Sequence, residues 1–381
     1  MPMKRIVIAM DSFKGSLTSL EAGAAAREGV LRACPDAVVT VLPLADGGEG
    51  TVEALTAGLN GAMHAAAVSG PLGGPVQARY GTKGTTAFME MAAAAGLTLV
   101  PREKRRPLEA STYGVGMMIA DALRRGCRRF IIGIGGSATT DGGMGMLQAL
   151  GYSFLRDDGT EAGRGAGALA AVRAISAARA MPELREAEFR VACDVTNPLC
   201  GPNGTARVFG PQKGLLAGQA DDVDQAMLHY AHVCSAATGK NCMDAPGAGA
   251  AGGLGFAFLS LLNARLISGA KLVMETVGLE THLRHADIFV TGEGRLDSQT
   301  VMGKAPGEAA RLAKDHGCRV IAFSGCRTAD ARSANQGGID AFFPIVPGPV
   351  TLEEALDKQN ASRNLADTAE QVFRLLRGGH D

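Results

Sequence analysis

Residues 5–50 read RIVIAMDSFKGSLTSLEAGAAAREGVLRACPDAVVTVLPLADGGEG. RIVIAM (5–10) is a short apolar run, which predicts a buried strand. Residues 18–33 then place Ala, Leu and Val at helical spacing. Thr18 or Ser16 can cap that helix, and Glu21 stands three residues past Thr18. AVVTVL (37–42) predicts a second strand and residues 49–58 a second helix. Alternating strands and helices predict a parallel, doubly wound sheet.

The end of the chain repeats the pattern. DIFVTG (287–292) predicts a strand, residues 304–316 a helix and RVIAF (319–323) another strand. AFFPIV (341–346) reads as a strand that Pro344 pushes toward an edge. Residues 351–376 read as one long amphipathic helix. The middle differs. Residues 62–90 alternate around GPLGGPV and predict hairpins, and FIIGIGG (130–136) predicts a buried strand entering a glycine-rich loop. Helices are expected over 113–125, 221–239 and 251–263. The fold class is therefore α/β, with a middle domain (63–285) inserted into a flanking domain made of residues 1–62 and 286–381.

Composition removes several function classes. The chain has 381 residues, 46% apolar and 20% charged, which argues against global disorder. Lys plus Arg and Asp plus Glu are 38 each, so no net charge draws the chain to nucleic acid or an anionic membrane. Trp is absent and Tyr numbers four, which leaves little for base stacking. The eight cysteines form no CxxC pair, against a zinc ribbon or redox motif. MPMKRIVIAM is too short in its apolar part for a signal peptide, and no window reaches the ~20 apolar residues of a membrane span. A cytoplasmic protein with reduced thiols is expected.

Glycine, at 52 residues, clusters in loops that follow apolar runs. Ligands of open parallel sheets bind beyond the carboxyl ends of strands. In DSFKGS, Asp11, Ser12 and Lys14 stand at such an end, either as metal and phosphate contacts or as a helix entry. In PLADGGEGT, Asp46 and Glu49 flank two glycines; they suit magnesium, or a turn with Glu49 in the first turn of a helix. GIGGSATTDGGMG is the most informative. Gly135 and Gly136 free backbone N–H groups to face an anion, Ser137, Thr139 and Thr140 add hydroxyls, and Asp141 can bind metal, accept a proton or cap a helix.

ACDVTNPLCGPNGTARVFGPQKG offers Asp194, Asn197 and Lys213, as a metal or hydroxyl site or as an Asx turn. GAGAAGGLG (247–255) has no charged side chain and reads as close packing. TGEGRLDSQT, with Lys304 beyond it, places Glu293, Arg295, Asp297 and Lys304 after a strong strand, where Arg can fork a carboxylate and Lys can neutralise phosphate. The pairs His229/His232 and His282/His285 lack acidic companions at metal-motif spacing. No GxxxxGK[ST] occurs, no GxGxxG follows the first strand, and the protein-kinase motifs are missing. Carboxylates, lysines and backbone donors in this combination are the set that phosphoryl transfer needs.

DSFKGSL, PLADGGEGT, GIGGSATTDGG, ACDVTNPLCGPNG, VFGPQKG, GAGAAGGLG and TGEGRLDSQT, in this order, closely resemble the bacterial glycerate kinase family of the glyoxylate-pathway type. The resemblance runs from Ile6 to the last helices. It implies a discontinuous Rossmann- or flavodoxin-like domain carrying an inserted α/β domain. The implied reaction is ATP plus D-glycerate giving phosphoglycerate, with the 2-phosphate favoured, in organic acid metabolism. Met10 and Thr140 depart from the family's usual residues.

Roles follow as expectations of that resemblance. Asp194 or Asp297 orders magnesium, Lys14 and Lys213 neutralise phosphate, the Gly135–Thr140 loop holds phosphate or the substrate carboxylate, and Asp141 activates the hydroxyl. Substrate and phosphate contacts are expected from Asp11, Ser12, Asp46, Glu49, Gly135, Gly136, Ser137, Thr140, Asn197, Lys213, Glu293, Arg295 and Lys304. The expected partners are ATP and D-glycerate, with a homodimer left open and no nucleic acid or membrane. The rivals are a kinase of another small hydroxy acid, an NAD-dependent oxidoreductase and a phosphate-sensing binding protein.

Overall fold

Strand β1 (Arg5–Met10) forms where Ile-Val-Ile-Ala-Met runs without a polar break. It pairs in parallel with β2 (Val38–Pro43), Ile6 opposite Val39 and Ile8 opposite Val41. The intervening helix Ser19–Ala33 starts at Thr18 through a reciprocal cap. The Glu21 N–H donates to Thr18 Oγ1 at 3.3 Å, and the Thr18 N–H donates to Glu21 Oε2 at 3.0 Å. The structure is a computed structural model and describes residues 4–301 and 303–378.

The following strands are β3 (Ala62–Ser69), β4 (Pro75–Lys83), β5 (Thr86–Glu90), β6 (Arg129–Gly133), β7 (Ser153–Leu155), β8 (Ala174–Ser176), β9 (Glu188–Ala192) and β10 (Arg265–Ile267). The last are β11 (Ile288–Leu296), β12 (Arg319–Arg327) and β13 (Ala341–Pro344). The chain forms two compact units. The first comprises Met1–Asp46, Glu53–Leu59 and Gly269–Asp381, the second Gly47–Val52 and Asn60–Ser268.

The first unit holds a five-stranded, all-parallel sheet in the order β13-β12-β11-β1-β2. One face is covered by helices Ser19–Ala33 and Lys358–Gly378, which meet Ile6, Ile8, Ile288, Val290, Ile321 and Phe323. The chain leaves β1 toward β2 and leaves β11 toward β12 in the opposite direction. Right-handed crossovers therefore send helix Ala305–Asp315 to the other face. As expected, β13 is an edge strand.

The second unit has a six-stranded sheet, β10-β9-β6-β5-β4-β3. Its β10, β9, β6 and β5 run parallel, and β5, β4 and β3 form the expected antiparallel hairpins. Its core includes Phe130 stacked on Phe189, with centroids 4.8 Å apart.

Two expectations need correction. β11 does not stop at Gly292 but runs to Leu296, because β12 is equally long and pairs Glu293 with Ser324 and Arg295 with Cys326. The terminal helix is two helices, Leu352–Leu356 and Lys358–Gly378. Asp357 is extended (φ −56°, ψ 127°), and its carboxylate accepts from the Asn360 N–H at 2.9 Å, so it caps the second helix and ends the first. Among the described residues, no helix is long and apolar enough to cross a membrane. All eight cysteines are free.

Candidate active site

The first sheet changes winding direction between β1 and β11, so the loops beyond their carboxyl ends part and leave a crevice. A cavity of about 320 Å3 lies there. Asp11, Ser12 and Lys14 reach it from the end of β1, and Asp46 from beyond β2. Glu293, Arg295 and Asp297 reach it from the end of β11, and Lys304 from the start of the following helix. Residues chosen from three separate sequence clusters thus line one cavity.

Their contacts form a charged network. Glu293 is buried; Thr300 Oγ1 donates to its Oε1 at 2.6 Å, and Lys304 Nζ lies 3.4 Å from its Oε2. The same ammonium is 3.3 Å from Asp297 Oδ1, and Arg295 Nε is 3.7 Å from Asp297 Oδ2. The Gln299 N–H donates to Asp297 Oδ1 at 3.0 Å, and the Asp297 N–H to Thr300 Oγ1 at 3.2 Å, which fixes the turn after β11. Burial pushes the Asp11 carboxyl up to about 7. The charges of Asp46 and Glu293 push the same way, against the Ser12 N–H and Lys14. Burial also raises Glu293, opposed by Thr300 and Lys304. The crevice therefore favours added positive charge.

In the second unit, β6 feeds the glycine-rich loop. Its apex, Gly135 and Gly136, is exposed, while Ser137, Thr139, Thr140 and Asp141 are buried. Asp141, expected to activate a hydroxyl, is fully enclosed. Its Oδ2 accepts from the Thr112 N–H at 2.7 Å, Thr112 Oγ1 at 2.9 Å, Ser111 Oγ at 3.2 Å and the Gly145 N–H at 3.2 Å. Its Oδ1 accepts from the Gly143 N–H at 3.2 Å. A carboxylate surrounded in this way holds a turn together and has no open side for a substrate. Burial raises its pKa against those donors.

Lys213, expected to meet phosphate, is also internal. Its Nζ donates to Ser137 Oγ at 2.8 Å and to the Thr139 carbonyl at 2.6 Å, and burial pushes its pKa down to about 7 against the charge of Asp141. It supports the loop from beneath. Thr140, expected to contact substrate, is fully buried. The 247–255 segment packs as expected: a Cβ on Gly252 would lie 2.0 Å from the Thr139 carbonyl oxygen.

The remaining choices belong to the second unit and are not among the residues that line the cavity. Glu49 is exposed in the short Gly47–Val52 piece of the second unit. Asp194 is exposed beyond β9, and Asn197 Nδ2 donates to the Asn203 carbonyl at 2.8 Å, the turn that competed with a functional reading.

Residues 6–377 match the sequence profile of the Glycerate kinase family. The chain belongs to the glycerate kinase family. It is similar to glycerate kinase of Bacillus subtilis (strain 168), 48% identical over 375 residues that cover 98% of both chains. It is also similar to glycerate 2-kinase of Escherichia coli (strain K12), 46% identical over 371 residues, covering 96% of this chain and 97% of the relative. A crystal structure assigned as glycerate kinase 2 from Salmonella typhimurium LT2 superposes with a TM-score of 0.91 at 43% identity, covering 99% of both chains.

Among the described residues no three His, Cys, Asp or Glu side chains form a ready-made metal cage.

Some residues that shape the glycine-rich loop of the second unit and the cavity of the first carry no sequence signal. Ser111 and Thr112, which hold Asp141, lie 30 and 29 positions from it in an ordinary polar stretch. Leu352, Leu356 and Asn364, which line the cavity, read only as parts of an amphipathic helix. Thr300 was visible, since it closes the TGEGRLDSQT segment, but nothing marked it as the partner of Glu293.

Proposed function

We propose that the chain transfers the γ-phosphoryl group of ATP to D-glycerate, with the C2 hydroxyl as acceptor, giving 2-phosphoglycerate and ADP. One observation carries the reading: the segments that bear the family resemblance, with Lys304 just beyond the last of them, supply four carboxylates and three cations to a single cavity at the winding switch of the first sheet. Family membership across residues 6–377 fixes the class of reaction.

Phosphoryl transfer needs placement and charge neutralisation more than covalent help from the protein. Lys14, Arg295 and Lys304 supply cations toward the phosphates. Magnesium, when bound, would offset the phosphate charge, and Asp46 and Asp297 of the first unit would hold it. The exposed Gly135–Gly136 apex offers backbone N–H groups to an anion such as the glycerate carboxylate, and Lys213 and Asp141 keep that apex in place. The two compact units are read as the discontinuous Rossmann-like domain and its inserted partner. Eight free thiols suit a reducing cytoplasm.

Phosphorus NMR of a reaction containing ATP, magnesium and D-glycerate tests the reading. The expected product resonance is that of 2-phosphoglycerate, appearing with ADP. A 3-phosphoglycerate signal would move the acceptor to the other hydroxyl. Unchanged ATP with D-glycerate, but turnover with a different hydroxy acid, would overturn the substrate.

A further inference from the structure

The cavity of the first unit has a second side that the charged network leaves unexplained. Ile345, Leu352, Ala355, Leu356 and Ala361 line the same cavity as the carboxylates and lysines and give it an apolar wall. Leu352 is 75% exposed and Leu356 38%, so the described chain leaves part of this wall open to water. The break at Asp357 builds it. Leu352 and Ala361 are nine positions apart, and a continuous helix advancing about 100° per residue would point them in opposite directions. Two helices allow both to face the same space.

D-Glycerate has no use for such a wall, because each of its three carbons bears oxygen. A nucleotide has the matching form, with a flat base of largely apolar faces at one end and a polyanion at the other. The cavity is within the size range of small-molecule sites. It also offers groups that can fix a base and sugar. The Asn364 side chain lies on its lining, and so does Ser16, whose buried Oγ has no hydrogen-bond partner. We infer that this cavity is the nucleotide subsite, with the base of ATP against Leu352, Leu356 and Ile345 and the phosphates directed to Lys14 and Lys304. The inference rests on the ATP-dependent reading above.

The chain contains no tryptophan, so one introduced indole reports on one place. In Leu352→Trp, ADP added without glycerate is expected to change the fluorescence saturably, with the same Kd that calorimetry gives for that variant. In Leu356→Glu, a carboxylate on the wall is expected to weaken ADP binding about tenfold or more, while the KM for D-glycerate moves less than about twofold. Calorimetric ADP binding to Leu352→Trp with a silent indole, or an indole that answers D-glycerate and not ADP, would place the nucleotide elsewhere. If unsubstituted chain neither binds ADP nor turns over ATP, the ATP reading itself fails. The two failures are therefore separable.

Discussion

Lys213 is an amine held almost entirely away from water, bonded to one hydroxyl and one carbonyl of the glycine-rich loop. Burial disfavours its charged form, which lowers its pKa from 10.5 to about 7. In the unfolded chain the same amine keeps its proton up to about pH 10.5. The unfolded state thus binds more protons than the folded one between those values, and stability rises with pH across that window. Below about pH 7 both states are protonated and the burial penalty is fully present. Lys213→Met keeps much of the volume and removes the titration. Denaturant melts at pH 7.5 and 9.5 are expected to show the unsubstituted chain gaining stability relative to Lys213→Met as pH rises. A constant difference between the two proteins would show that Lys213 is not neutralised by its surroundings.

The glycine-rich loop and the 247–255 turn meet backbone to backbone. Gly252 has φ +73°, and a Cβ there would stand 2.0 Å from the Thr139 carbonyl oxygen. The Gly142 N–H also donates to the Gly252 carbonyl at 2.9 Å, so neither segment can retreat without breaking a bond. Gly159 has a similar φ, +77°, but open space around it. Gly159→Ala should cost only the conformational strain, about 1–2 kcal/mol. Gly252→Ala adds the clash and should cost about 3 kcal/mol or more. Thermal or chemical melts of the two variants check this. Equal losses would mean that the loop and the turn are not held as tightly as the geometry requires.

The first unit takes its core from both ends of the chain. Ile6, Ile8 and Val30 share one apolar cluster with Leu365, Ala369 and Phe373. Helix Ser19–Ala33 comes so close to the final helix that a Cβ on Gly29 would lie 2.0 Å from the Ala366 carbonyl oxygen. Phe373 is fully buried, and Phe373→Ala is expected to cost about 3–5 kcal/mol. Because the unit's core is shared, the loss should surface far from the substitution in sequence. Amide hydrogen exchange across Arg5–Met10 is expected to speed up in the variant. Protection of that strand at its original level would mean that the two chain ends fold independently.

Much of this protein could be read from its order of residues. Apolar runs such as RIVIAM and FIIG mark strands because a strand buried on both faces has no polar position to spare. Thr18 with Glu21 marks a helix start because the capping bonds are local. DSFKGS, LADGG and TGEGR mark a site because charged residues rarely gather with glycine at strand ends without use. Long-range packing set the rest. It carried β11 through Glu293 and Arg295, since a partner strand, not propensity, decides where a strand stops. It enclosed Asp141, Thr140 and Lys213, since burial depends on which distant segments arrive on top, here Ser111–Thr112 and Gly252. It broke the terminal helix at Asp357 and brought Leu352 and Ala361 to the charged end of the sheet, because a side chain's direction follows from the path of the backbone in space, which amphipathic spacing alone does not encode.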